Sequence, residues 1–182
     1  HSNRFLAEFI TLERLDPNIV FVCPTPKLVS KYFKELVAGN EVEINHIDGE
    51  EIASEEFEKR KSSLYACSDL ALVTSGTVVL ELAKTSVPMI VGYRTGFFTQ
   101  LIYRLFVKVS SANLVNLITK NNDIPEYLFH HCNAKNLYNE AVKIIGNKRY
   151  AETQLISSKQ AIKELGYGST DPSKRAAKLM KK

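Results

Sequence analysis

Three cysteines, Cys23, Cys67 and Cys132, are the only thiols in 182 residues. They are odd in number and widely spaced, in a chain too long to need stapling, which excludes a disulfide framework and suits a reducing compartment. Long hydrophobic runs are also missing: none approaches the roughly 18 consecutive apolar residues of a membrane span. The opening residues, HSNRFLAEF, do not have the anatomy of a signal peptide. Charge of one sign is scarce as well. The 24 Lys and Arg against 20 Asp and Glu leave +4, too slight and too evenly spread for a dedicated nucleic-acid binder, although it favours an anionic partner. No GxGxxG or Walker-type stretch occurs, so a nucleotide site cannot be argued from a Gly-rich phosphate loop. Repeats, low-complexity tracts and interdomain linkers are lacking too.

What is present is a chain 45% hydrophobic, enough to bury about two-thirds of its unfolded surface. One domain spanning 1–182 fits best. Short apolar runs alternate with helical patterns, the sequence form of β-α-β units, so the expected class is α/β: a Rossmann-like parallel sheet with helices on both faces and a helical C-terminal third. Expected strands are Ile19 to Cys23, Val42 to Ile47, Asp69 to Thr74 and Pro88 to Tyr93, rich in β-branched residues and reading in part as buried on both sides. Helical spacing recurs from Phe5 to Leu15, Leu28 to Leu36, Phe57 to Ala66 and Val78 to Leu82. After Tyr93 the strand signal fades, and Phe97 to Lys108, Ala134 to Ile145, Tyr150 to Leu165 and Pro172 to Lys181 read as helices.

A doubly wound domain normally opens with a strand, whereas this chain opens inside a helix. The expectation is that a central first strand is missing, its gap filled by a strand from a second copy in a swapped homodimer or by residues outside this sequence. The alternative is direct pairing of Ile19–Cys23 with Asp69–Thr74.

The most informative stretch is DLALVTSGTVVLELAKTSVPMIVGYR, Asp69 to Arg94. A strand ends at Thr74, Ser75 and Gly76 form a turn, and a helix follows. Ligands of open α/β sheets sit at such carboxyl ends, where helix N-terminal amides face an anion. Gly76 leaves room for close approach, Ser75 and Thr77 offer hydroxyls, and Glu81, one turn on, suits the two hydroxyls of a ribose. The bland alternative is that Ser75 or Thr77 caps the helix and Glu81 is a solvated side chain.

Together with the apolar FFTQLIYRLFVKVSSANLVNLI and the later IPEYL, this stretch resembles the C-terminal half of lipid-A-disaccharide synthases, bacterial glycosyltransferases of two Rossmann-like domains (GT-B). SGT...LE alone is shared by several glycosyltransferases; its combination with PMIVGYR, Asn116 and Pro125-Glu126 is more specific. The resemblance implies an inverting transfer from UDP-2,3-diacylglucosamine to 2,3-diacylglucosamine 1-phosphate, giving lipid A disaccharide 1-phosphate and UDP. It also implies a peripheral enzyme at the cytoplasmic face of the inner membrane. This half would hold the UDP-sugar: Ser75, Gly76 and Thr77 at the diphosphate, Glu81 at the ribose, Gly92, Tyr93 and Arg94 on the cleft wall, and Asn116 as a further donor-side residue. The acceptor and general base would belong to the other half, so no catalytic residue is expected here. A PGSR-like loop, which the family places just before the position of His1, is not in this sequence. Phe129 stands where the family usually has Gln, which puts that contact in doubt.

The helix Phe97 to Lys108 is apolar around most of its surface yet carries Arg104 and Lys108, so it belongs either in the core or at a lipid interface. The acylated substrate makes Phe97, Phe98, Ile102, Arg104 and Phe106 candidates for lipid or membrane contact. His130, His131 and Cys132 are metal-ligand types without a second cluster at ligand spacing, so no metal or other cofactor is expected. Cys67 reads as a small core residue. Two other readings stay open: a non-catalytic nucleotide-binding module, and half of a UDP-sugar epimerase, which the FFTQLIYRLF stretch fits poorly.

Overall fold

Short β-branched runs and amphipathic helices alternate through five strands and six α-helices among the residues that the computed structural model describes: 19–38, 44–93 and 111–167. In chain order these are β1 (Val22–Thr25), α1 (Lys27–Ala38), β2 (Asn45–Asp48), α2 (Ser54–Cys67), β3 (Ala71–Val73) and α3 (Val78–Thr85). Then come β4 (Met89–Tyr93), α4 (Leu114–Thr119), β5 (Glu126–Leu128), a 3-10 turn (Phe129–His131), α5 (Ala134–Gly146) and α6 (Lys148–Glu164). The helices expected at Phe5 to Leu15, Phe97 to Lys108 and Pro172 to Lys181 lie outside the described residues.

Among the described residues all strand pairing is parallel, as βαβ connections require. β4 is central in a three-stranded sheet, β3-β4-β5, while β1 and β2 form a separate pair. Among the described residues β1 and β3 are not hydrogen-bonded neighbours, so the direct pairing weighed above does not occur.

β4 fixes the layering. Met89 and Val91 turn to one face and meet Val79, Leu82 and Ala83 of α3, Val115 of α4 and Ala161 of α6. Ile90, on the other face, meets Cys132, Leu137 and Ile144, the last two on α5. Helices therefore cover both faces of this sheet, the α/β architecture expected from sequence. Each fully buried Leu or Ile stabilises it by roughly 1.5–3 kcal/mol relative to exposure. Polar ties complete the layers: the buried Gln154 of α6 accepts the Met89 N–H through Oε1 at 2.9 Å.

Three expectations need correction. Burial on both sides holds for β4 but not for β1 or β3, whose residues are mostly half-buried. β1 lies two to three residues beyond the expected run and includes Pro24 and Thr25, Pro being tolerated in an edge strand, and β1 pairs only with β2 among the described residues. The C-terminal third is not purely helical: β5 pairs Tyr127 with Gly92, a three-residue strand held by its partner rather than by local propensity.

Candidate functional site

Parallel pairing brings the carboxyl ends of β3, β4 and β5 to one edge. At the end of β3 the chain turns through Ser75, Gly76 and Thr77 into α3. Gly76 has φ +150°, which side-chain-bearing residues rarely adopt, while a Cβ there would meet nothing within 4 Å among the described residues. Glycine is thus required by the turn and not by packing against any described residue. Thr77, in the N-cap position of α3, adopts αR geometry and makes no side-chain cap. The exposed Ser75 donates its hydroxyl to the Ala112 carbonyl, tying the turn to the loop before α4. Neither hydroxyl caps the helix, so the capping alternative fails. The α3 N-terminus is left to present its first amides and partial positive charge.

The side chain of Glu81, one turn into α3, is 41% exposed, and its Oε2 lies 3.0 Å from Lys61 Nζ on α2. It is therefore not simply a solvated side chain. Gly92 is buried within β4 opposite Tyr127. Tyr93, the last residue of β4, meets Phe129 edge-on with ring centroids 6.5 Å apart. Phe129 has φ +58°, an uncommon conformation for an aromatic residue, at the carboxyl end of β5. Arg94 lies outside the described residues, as do Phe97, Phe98, Ile102, Arg104 and Phe106.

Asn116 is 2% exposed and fully committed to the chain itself. Its Nδ2 donates to the Ile124 carbonyl and to Glu126 Oε1, both at 2.8 Å, and its Oδ1 accepts the Ile124 N–H at 3.1 Å. The donors expected to reach a ligand are thus occupied. Glu126 also accepts the Ala112 N–H at 2.7 Å and the Ser111 hydroxyl. Since Ala112 accepts from Ser75, Asn116 and Glu126 of the family signature brace the loop against which the β3–α3 turn is tied.

Three features escaped the sequence reading. Lys61 is one. The turn after β2 is another: the Gly49 N–H donates to the Thr25 carbonyl at 2.9 Å, and a Cβ on Gly49 would stand 2.9 Å from the Lys27 nitrogen, so no larger residue fits. Beside it, the buried Asp48 accepts from Ser30 at 2.6 Å and pairs with Lys34. The Lys34 ammonium, then the Ser30 hydroxyl and Glu50 N–H, hold its carboxyl well below the usual carboxylate range. A cavity of about 270 Å³ lined by Lys34, His46, Asp48, Glu51 and Arg60 adjoins it. The Asp-Gly dipeptide after a strand was the available signal. The third feature is Glu140 on α5, 8% exposed, which accepts from Tyr127 and Tyr150, each at 2.7 Å. Burial opposes its ionisation, but the two hydroxyls outweigh that and lower its pKa.

Cys67, expected in the core, is exposed at the end of α2, and Cys132 is the buried thiol. His130 and His131 are exposed with ring centroids 3.8 Å apart, and no group of three or more metal-ligand side chains occurs among the described residues. No described helix is long and apolar enough to cross a membrane.

Comparison with known proteins gives the family. A family model described as lipid-A-disaccharide synthetase matches residues 12–180. Lipid-A-disaccharide synthases of Rickettsia canadensis (strain McKiel) and Rickettsia bellii (strain OSU 85-389) are 35% and 36% identical over 126 residues, which is 69% of this chain. That of Rickettsia prowazekii (strain Madrid E) is 35% identical over 118 residues, 64% of this chain. These alignments cover 33%, 32% and 31% of the relatives, so the chain spans about a third of the length of the curated proteins it matches. With the SGT turn at the sheet edge, Glu81 one turn beyond and a match across nearly all its length, the chain belongs to the lipid-A-disaccharide synthase family.

Proposed function

We propose that this chain supplies the UDP-sugar site of an inverting glycosyltransferase of lipid A biosynthesis, joining UDP-2,3-diacylglucosamine to 2,3-diacylglucosamine 1-phosphate with release of UDP. The observation that carries the reading is the β3–α3 junction. An open glycine turn leads into an uncapped helix N-terminus, with a carboxylate one turn further on. Helix N-terminal amides favour an anion such as a diphosphate, and an ionised carboxylate accepts from ribose hydroxyls. In this reading Ser75, Gly76 and Thr77 line the diphosphate and Glu81 holds the ribose, while Gly92, Tyr93 and Arg94 form the cleft wall. Asn116 supports the site through Glu126 rather than by touching the nucleotide. The general base and the acceptor belong to a part of the enzyme outside this chain, and the working location is the cytoplasmic face of the inner membrane, with Phe97 to Phe106 in contact with lipid.

Titration of UDP, UDP-N-acetylglucosamine and UDP-2,3-diacylglucosamine by calorimetry tests this. Uridine nucleotides bind, and Glu81→Gln weakens UDP roughly tenfold to a hundredfold, since a hydrogen bond to a charged group contributes about 1.5–3 kcal/mol. Unchanged UDP affinity in Glu81→Gln would remove Glu81 from the site. Equal affinity for the acylated and unacylated donors would remove the acyl chain from what this half recognises.

A further inference from the structure

Glu81 does not stand alone. Its Oε2 is 3.0 Å from Lys61 Nζ, and the same ammonium lies 2.6 Å from Glu58 Oε2, one turn earlier on α2. The Lys61 side chain is only 14% exposed, against 41% for Glu81 and 62% for Glu58. Its ammonium sits 5.9 Å from the centre of the Phe57 ring. Burial opposes its charge, but the two carboxylates outweigh that and raise its pKa above the ordinary lysine value. A packed lysine therefore reaches from α2 to one oxygen of Glu81, the carboxylate assigned above to the ribose. Among the described residues the contact engages Oε2 and not Oε1. It also restricts a side chain that would otherwise sample many rotamers, ordering that a sugar would have to impose on binding.

We propose that Lys61 is a positioning residue for nucleotide recognition: through Oε2 it holds the Glu81 carboxylate in the orientation in which Oε1 meets the ribose hydroxyls. This rests on Glu81 being the ribose residue, as argued above. Lys61 itself does not touch the nucleotide. A merely structural tie between α2 and α3 would affect every ligand of the chain alike, whereas a positioning role acts on the ribose hydroxyls alone.

The deciding measurement is the ratio of affinities for UDP and 2′,3′-dideoxy-UDP, read by calorimetry on the 182-residue chain. The wild type favours UDP. Lys61→Met reduces that preference about threefold to tenfold and leaves dideoxy-UDP binding unchanged, and Lys61→Arg retains most of the preference because it keeps the charge. If Lys61→Met does not melt cooperatively, the same ratio in Lys61→Gln decides. A wild-type ratio in the uncharged variant, or equal weakening of both nucleotides, overturns the proposal. The premise fails separately. If Glu81→Gln keeps the wild-type ratio, or the wild type binds neither nucleotide or both alike, the ribose assignment falls and the Lys61 role with it.

Discussion

Asn116 illustrates how one side chain can carry a family signature without facing a ligand. Its amide meets both backbone groups of Ile124 and an oxygen of Glu126, in surroundings that are nearly dry. Truncation strands a buried N–H and a buried carbonyl, and an unsatisfied buried polar group costs about 1–3 kcal/mol. Asn116→Ala should therefore lower stability by about 2 kcal/mol and Tm by roughly 4–8 °C for a domain of this size. UDP affinity should hold at temperatures where the variant is folded. Lost affinity with an unchanged Tm would instead place the amide on the nucleotide.

At the scale of elements, the junction works because α3 is anchored independently of its open N-terminus. Val79, Leu82 and Ala83 are buried against the sheet, and the helix ends in a left-handed Ser86 whose N–H bonds to the Leu82 carbonyl, just before Val87 and Pro88. The first turn can thus remain uncapped without fraying the whole helix. The element that carries lipid contact in the proposed function is the apolar stretch from Phe97 to Lys108. Exchange of Phe97 and Phe98 for Ser should weaken binding to anionic vesicles while leaving the thermal transition cooperative. Loss of cooperative unfolding would assign those rings to the core.

For the whole molecule, two buried acid clusters set the pH range of stability. Asp48, held down by Lys34, Ser30 and the Glu50 N–H, and Glu140, held down against its burial by Tyr127 and Tyr150, both have depressed folded-state pKa values. Their contribution is complete above the unfolded carboxylate range, about pH 4, and is lost as pH falls through the folded values. Burial, then the Glu140 hydrogen bond, raise the Tyr127 and Tyr150 hydroxyls, so their contribution is present below about pH 10 and lost above it. Tm should plateau from about pH 5 to 9 and fall on either side. Glu140→Gln should lower the plateau and soften the acid limb, and an acid limb identical to wild type in circular-dichroism melts would contradict the Glu140 share. The proposed reaction bears on the whole molecule as well. Because inverting transfer needs a general base beside the acceptor hydroxyl, the 182-residue chain supplied with both acylated substrates should form no disaccharide. Any product detected by mass spectrometry would place that base on this chain.

Much of this was legible in the amino-acid sequence alone, and the physical division is clear. Period-two and period-3.6 patterning is local, so the α/β class, β4, α3 and the Ser75-Gly76-Thr77 turn with Glu81 one turn beyond could be read from neighbouring residues. β5 could not, because three residues have too little propensity of their own and become a strand only where β4 offers hydrogen bonds. The same holds for polar partners. The family resemblance is what makes Asn116 a donor-side candidate, whereas the Ile124 and Glu126 groups that occupy its amide are brought to it by folding. Lys61 carries no signal of its own in the sequence beyond a charge within a helical stretch. Only the packing of α2 beside α3 puts its ammonium on Glu81, since an ion pair between separate helices depends on their tertiary placement and leaves no periodic trace in the chain.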